Sequence, residues 1–295
     1  MEKCRICGSS SIAVIYDDYI RDGGLGTLTK EKFKMYQCEQ CETIWHTKIE
    51  DSLAYYQSTE YRQKLENAVD IESYYRAHDK EVLEKLQYTG TDIYRNKVVA
   101  DIGCGGGSFL DFISGAADAV IAIEPSSAYR MELSMKKYHV FPYASGARKE
   151  WEGKVDVVTS FDVIEHVDDP VEFMRDVYGL LKSGGKAVIG TPSECPVMRR
   201  LLGNIYEKKL LFSYQHPWIL SKESFRICCK QAGFAEIRIE SKQRYGMSNM
   251  ISWLIEKTAK GHCHYEFVTE TLDNAYKKQL EEMDNGDYWV AYVVK

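Results

Sequence analysis

The 295-residue chain has no run of about 18 apolar residues, so nothing in it reads as a membrane-spanning helix. No apolar stretch follows the first methionine, and a secretion signal is not expected. A basic excess is also missing: 38 Lys and Arg stand against 44 Asp and Glu, a net charge of −6. That balance weighs against a surface built for nucleic acid, which needs a basic footprint. It leaves room for a small anionic ligand held by a few arginines. Nine cysteines without a secretion signal point to a reducing, cytoplasmic setting, where thiols act as ligands or core filler more often than as disulfides. The length permits a full core and a small additional module.

One absence inside the chain is more informative. From Val98 to Leu110 the sequence reads V-V-A-D-I-G-C-G-G-G-S-F-L. The apolar start suits a short strand buried on both faces. Asp101 ends it, Gly103, Gly105 and Gly107 alternate around Cys104, and Ser108 is placed to cap the following helix. Such glycines let a backbone turn sharply and approach a ligand where a Cβ would clash. The dinucleotide fingerprint G-x-G-x-x-G is absent, however, and Asp101 would repel a pyrophosphate while suiting a cationic or amino-bearing ligand. Ala119 to Ile123 reads as a second buried strand, closed by Glu124 and Pro125. Glu124 lies 23 residues beyond Asp101, where a carboxylate can accept from both hydroxyls of a ribose. A fourth strand, Val155 to Ser160, delivers Phe161 and Asp162 to the carboxyl end of the sheet, the edge at which open α/β folds bind ligands.

Residues 1–48 carry two thiol hooks, Cys4 and Cys7 in C-R-I-C, then Cys38 and Cys41 in C-E-Q-C. This is Cys₄ zinc spacing, with disulfides or unligated thiols as the alternative. Asp22-Gly23-Gly24 and Gly26 mark the loop that absorbs the long gap. So short a segment buries little apolar surface, and a structural Zn²⁺ can supply on the order of 10–16 kcal/mol. Ser52 to Gln87 reads as helical, a cap spanning 49–90 that Gly90 closes. Further strands are expected at His139 to Tyr143, Ala187 to Gly190 after a Gly-Gly turn, Ala235 to Glu240 and Tyr288 to Val294. Helices are expected at Ser126 to Tyr138, Pro170 to Leu181, Ser248 to Lys260 and Phe267 to Met283.

The block from Val98 to Pro192, with Asp101 and Glu124 in it, resembles the class I S-adenosylmethionine-dependent methyltransferases in order and spacing. With the thiol hooks, the Tyr-rich helices and the His216-Pro217-Trp218 loop, it resembles zinc-ribbon members acting on sugars or other small molecules. The resemblance implies an α/β, Rossmann-like seven-stranded sheet with helices on both faces over 91–295, a substrate-pocket insertion at about 194–222 and a zinc ribbon at 1–48. It also implies methyl transfer from S-adenosylmethionine to a small-molecule acceptor, an O-acceptor on a sugar, nucleotide sugar or phosphorylated metabolite. The surface-polysaccharide and natural-product pathways are where such enzymes work.

Helices before the glycine turn cover the cofactor in that superfamily, making Tyr74, Tyr75 and Arg76 candidates to touch it. An acid usually reads adenine after the third strand; here Ala144-Ser145-Gly146 stands instead, leaving Ser145 or backbone amides. His166 and His216 are the candidate general bases, each also readable as a structural histidine. Trp218, Tyr245 and Trp253 are candidate acceptor-pocket walls, with core packing as the alternative. Asp162, Glu165 and His166 form D-x-x-E-H, close to the E-x-x-E-H that binds Mg²⁺ in some relatives. The shorter Asp, and E-H-V-x-D-P in methyltransferases that use no metal, weigh against Mg²⁺ here. Sugar C-methylating members have an extra C-terminal domain that this sequence lacks, which favours an O- or N-acceptor. Two other readings remain: an RNA methyltransferase gripping RNA with its ribbon, and a non-catalytic cofactor-binding partner protein.

Overall fold

The computed structural model describes residues 3–46 and 70–295; the part of the expected helical cap from Ser52 to Val69 lies outside them. The ribbon strands are β1 (Ile12–Asp18), β2 (Phe33–Cys38) and β3 (Ile44–His46). Helices α1 (Ile71–His78) and α2 (Val82–Thr89) are joined by a 3₁₀ turn at Asp79–Glu81. Then come β4 (Val98–Ile102), α3 (Ser108–Ile113), β5 (Ala119–Ile123), α4 (Ser127–Ser134), β6 (His139–Phe141) and α5 (Ala144–Trp151). The chain continues through β7 (Val155–Phe161), α6 (Pro170–Leu180), β8 (Leu181–Pro192), α7 (Pro196–Leu202), β9 (Trp218–Ile219) and α8 (Lys222–Ala232). It ends in β10 (Glu236–Lys242), α9 (Met247–Glu256), α10 (Glu270–Glu282) and β11 (Tyr288–Val294).

Seven strands form one sheet in the order β10-β11-β8-β7-β4-β5-β6, and four form another in the order β1-β2-β3-β9. The expected α/β, Rossmann-like seven-stranded architecture is therefore present. β4 and β5 lie inside the large sheet, pair in parallel, and are buried from Val99 and Val120 onward. That position explains their unbroken apolar runs. By compact units, one comprises the described parts of Met1–Ile49, Thr191–Ile227 and Ile239–Val290, and holds the four-stranded sheet. The other comprises those of Glu50–Gly190, Cys228–Arg238 and Ala291–Lys295, and holds β4 to β7.

In the first unit β1 and β2 form the expected ribbon hairpin, with Val14 opposite Tyr36 and a bulge before Tyr16. β3 pairs on with β2 and, on its other side, with β9, which sets Trp45 opposite Trp218. Met35 and Ile44 of the ribbon share one core with Phe212, Ile219 and Trp253.

Two local expectations are corrected. Ser108 does not cap α3: Gly107, left-handed at φ 90°, occupies the cap position, and Ser108 is the buried first helical residue. The Gly-Gly pair does not form a turn ahead of a short strand. Val155 pairs with Leu181 and Val157 with Lys186, so Lys182 to Gly185 bulge within one long β8. Gly184 is left-handed there, and a Cβ on Gly185 would come within 2.8 Å of the Lys182 carbonyl. Bulges of this kind take glycine for those reasons.

α6 is the clearest case of a helix started by its own sequence. The Asp169 carboxylate accepts from the N–H groups of Val171 and Glu172 at 2.8 and 3.1 Å, and Pro170 opens the first turn. Replacing Asp169 with Ala should cost about 1 kcal/mol in urea denaturation, while Asp169→Ser should retain most of it.

Candidate active site

β4 ends at Asp101-Ile102 and the backbone turns through Gly103, Gly105 and Gly107 at φ 76°, 57° and 90°. These are glycine conformations, and all three positions also lack room for a side chain, a Cβ on Gly107 lying 2.7 Å from Cδ2 of Leu133. A Cβ on Gly103 would lie 2.2 Å from Cγ2 of Val163, and one on Gly105 would lie 2.2 Å from the Tyr74 hydroxyl. Glu124, 2% exposed, stands at the tip of β5. One carboxylate oxygen accepts from the Gly105 N–H at 2.9 Å and the other from the Ser126 N–H at 2.9 Å. The Arg130 guanidinium donates to the carbonyls of Glu124 and Pro125, fixing the following turn.

α1 lies over this turn. Asp70 and Ser73 cap it reciprocally, the Asp70 carboxylate accepting from the Ser73 N–H at 2.7 Å. Tyr74 is buried against Tyr129, stacks on His78 at 4.4 Å and donates to the Cys104 carbonyl at 3.4 Å. Tyr75 donates to the Gly106 carbonyl at 3.1 Å, and its hydroxyl is also held by Lys136, which pairs with Asp111 at 2.6 Å. Arg76 is exposed on α1. Gly106 was not among the expected contacts, yet a Cβ there would come within 2.7 Å of Tyr74; only its place between two predicted glycines hinted at it.

Asp101 is fully buried, and that burial pushes its carboxyl up to about 6. The Thr159 hydroxyl, donating at 2.7 Å, and the Lys85 charge oppose the shift, while Glu124 adds to it. Thr159 and Lys85 carry no motif signal. Thr159 is opposite Asp101 only because β4 and β7 pair in that register. Phe161 is buried at the end of β7, edge-on to Phe109 at 6.0 Å, with the Lys85 ammonium 5.7 Å from its ring centre. Asp162 is left-handed and exposed, its N–H bound to the Gly190 carbonyl. His166 Nε2 lies 3.9 Å from the buried Glu165 carboxylate. Ser145 is exposed in the first turn of α5.

In the other unit, the sulfurs of Cys4, Cys7, Cys38 and Cys41 all lie within 4.8 Å of one another. The two hooks are built alike. The Gly8 N–H donates to the Cys4 carbonyl at 2.9 Å and the Glu42 N–H to the Cys38 carbonyl at 2.8 Å, and Gly8 and Glu42 are both left-handed. A hydrogen bond between Cys41 and Cys4 pulls the Cys4 thiol below its ordinary value, toward the thiolate that binds metals. His216 donates its N–H to the Ser213 carbonyl. Trp218 is buried in the ribbon sheet, Trp253 is 1% exposed in the unit's core, and Tyr245 packs beside His262 at 5.1 Å.

Because the folded chain holds the Asp101 proton more tightly than the unfolded chain, stability should fall as pH rises from the ordinary 3.8 through about 6. The total is on the order of 3 kcal/mol. Denaturation midpoints measured from pH 4 to 7 should show that fall in the wild type, and it should be absent in Asp101→Asn.

With this geometry in view, a family profile described as a methyltransferase domain matches residues 74–238. The ubiquinone biosynthesis O-methyltransferase of Azotobacter vinelandii is 27% identical over 150 residues, covering 47% of this chain and 65% of that protein. The mitochondrial ubiquinone biosynthesis O-methyltransferase of Schizosaccharomyces pombe is 29% identical over 126 residues, 40% of this chain and 46% of that protein. The chain thus aligns with about half to two thirds of the length of these relatives. Among solved structures, an Archaeoglobus fulgidus SAM-dependent methyltransferase superposes with a TM-score of 0.52 at 20% identity, over 76% of this chain and 97% of that one. Haemonchus contortus phosphoethanolamine N-methyltransferase 2, in complex with phosphomonomethylethanolamine and S-adenosylhomocysteine, superposes at 0.51 and 13% identity, over 95% and 71%. Those two likenesses concern the fold. The profile spans more than half of the chain, from α1 through the glycine turn and Glu124 into β10, and the protein belongs to the methyltransferase domain family.

Proposed function

We propose that this protein transfers the methyl group of S-adenosylmethionine to a hydroxyl of a small-molecule acceptor, a sugar, nucleotide sugar or phosphorylated metabolite. The observation that carries the reading is the buried Glu124 carboxylate beside a glycine turn with no space for side chains. The residues fit the cofactor. Glu124 suits its ribose hydroxyls, the bare turn at Gly103 to Gly107, with Cys104, suits close approach of its amino-acid portion, and buried Asp101 suits its ammonium. Tyr75, Pro125, Ser145, Phe161 and Asp162 complete the proposed cofactor contacts, and Arg76 would pair with its carboxylate.

When bound, S-adenosylmethionine supplies an electrophilic methyl group. The chain's own task is to hold the acceptor oxygen in line with it, an orientation effect worth about 7–11 kcal/mol. His166 or His216 would take the acceptor's proton, adding about 10²–10⁴-fold. Trp218 and Tyr245 are proposed to border the acceptor. The names of the curated relatives support an oxygen acceptor. The acidic balance disfavours RNA. No described helix is long and apolar enough to cross a membrane. Mg²⁺ at Asp162, Glu165 and His166 is not part of the proposal, because Asp162 does not join the donor cluster of the other two.

We further propose that the ribbon holds one structural Zn²⁺. A tetrahedron with Zn–S bonds of about 2.3 Å has edges of roughly 3.8 Å. The Cys4–Cys41 and Cys7–Cys38 sulfur separations are 3.7 and 3.4 Å. Four thiolates leave no open position, so the metal's part is to fold the ribbon.

Purified protein should carry one zinc per chain by mass spectrometry, and Cys38→Ser should lose it along with the ribbon's stability. Incubation with radiolabelled S-adenosylmethionine and a panel of nucleotide sugars, sugar phosphates, hydroxylated aromatics and total RNA should label a small molecule. Label in RNA would favour the RNA reading, and binding without turnover would favour a non-catalytic protein. Gly105→Val should weaken S-adenosylhomocysteine binding more than 100-fold in calorimetry while zinc content stays at one. Retained affinity would place the ligand elsewhere.

A further inference from the structure

The ribbon is tied to the segment that carries His216 by contacts within a single compact unit, and they surround that residue in sequence. Upstream, the Arg21 N–H donates to the Phe212 carbonyl at 3.0 Å, and the Tyr214 N–H donates to the Arg21 carbonyl at 2.8 Å. His46 Nε2 contacts the Ser213 carbonyl at 3.2 Å, and its ring lies parallel to Tyr214. Downstream, the His46 N–H donates to the Pro217 carbonyl at 3.2 Å, and β9 continues the ribbon sheet. Between these, Gln215 is fully buried. Its amide nitrogen donates to the Asp22 carboxylate at 2.7 Å, and its oxygen accepts from the Gly23 N–H at 3.0 Å and the Ser213 hydroxyl at 3.1 Å.

His216 closes a turn onto Ser213, and every neighbour from 212 to 217 is held from the ribbon side. A surface loop that had only to connect two elements would not need a buried glutamine satisfied at both ends of its amide. Buried amides are costly unless paired, so this one fixes the loop in a single conformation. The glycines at 23 and 24 acquire a purpose as well. The Asp22-to-Thr27 turn that they shape, closed by the Asp22 N–H to the Thr27 carbonyl at 3.0 Å, presents the Gly23 N–H to the glutamine.

We infer that the ribbon is a positioning device for the acceptor side of the reaction: Asp22 and Gly23, through Gln215, set the place of His216. This rests on the proposed role of His216 in methyl transfer. Gln215 and Asp22 are positioning residues; neither is asked to touch substrate.

The test is a swap of the pair. Gln215→Glu faces the Asp22 carboxylate with a second one, whereas the double variant Asp22→Asn with Gln215→Glu restores one donor and one acceptor. Turnover is followed with a panel member that the wild type methylates, cofactor binding with S-adenosylhomocysteine, and loop order by amide hydrogen exchange. The single variant should raise exchange across 212–217 at least tenfold and lower kcat at least tenfold, with S-adenosylhomocysteine affinity within twofold of wild type. The double variant should recover most of both losses. In a His216→Ala background, Gln215→Glu should cost nothing further. If Gln215→Glu does not fold, Asp22→Ala breaks the same contact from the ribbon side. Unchanged exchange, or an equal further loss of kcat in the His216→Ala background, overturns the inference. Full turnover by His216→Ala would overturn the role of His216 itself, and with it this inference. Loss of turnover in His216→Ala beside a fully active Gln215→Glu would overturn the positioning alone.

Discussion

The proposed chemistry depends first on where one buried negative charge finds its hydrogen bonds. Glu124 sits almost entirely out of solvent, where an ionised carboxylate without donors would be very costly. Its two oxygens take one backbone N–H from the turn after β4 and one from the turn after β5. Charge-assisted bonds of this type are among the stronger ones available to a chain. Two parallel strands are thereby joined at their carboxyl ends, and the glycine turn is held beside the acid. Asp101, one strand over and also buried, stands at the same edge with its hydroxyl partner Thr159.

The ribbon answers a different constraint. A segment of some forty residues cannot bury enough apolar surface to fold unaided. Two features of the structure bear on that constraint, and the Ser221 hydroxyl, donating to the Cys41 carbonyl at 2.6 Å, joins them. One is the group of four thiols, built from two hooks with matching backbone turns. The other is the sheet edge of β3, which would present unpaired backbone groups and is covered by β9. Covering that edge draws residues 212–219 into the ribbon's hydrogen bonding, so a module read as an N-terminal appendage in sequence shares a core with Phe212 and Trp253.

Much of this was legible in the residues. The continuous apolar runs of β4 and β5 announced buried parallel strands, and the alternating glycines between Asp101 and Ser108 announced a turn made for contact. The hook spacing announced the thiol cluster. What the sequence does not display belongs to pairing rather than to pattern. Thr159 meets Asp101 through strand register, which no local motif encodes. β9 is two residues long and has no periodicity to read. The Gly184-Gly185 pair reads as a turn because glycine marks turns and bulges alike. Ser108 looked like a cap, but Gly107 in a left-handed conformation can start the helix from the turn itself, leaving serine inside.

The most direct measurement is a crystal structure of the protein with S-adenosylhomocysteine. The account places the ribose hydroxyls against the Glu124 carboxylate and the amino-acid portion over Gly103 to Gly107, near Asp101. Density for that ligand elsewhere, or a phosphate-bearing molecule occupying the glycine turn in its place, would contradict it.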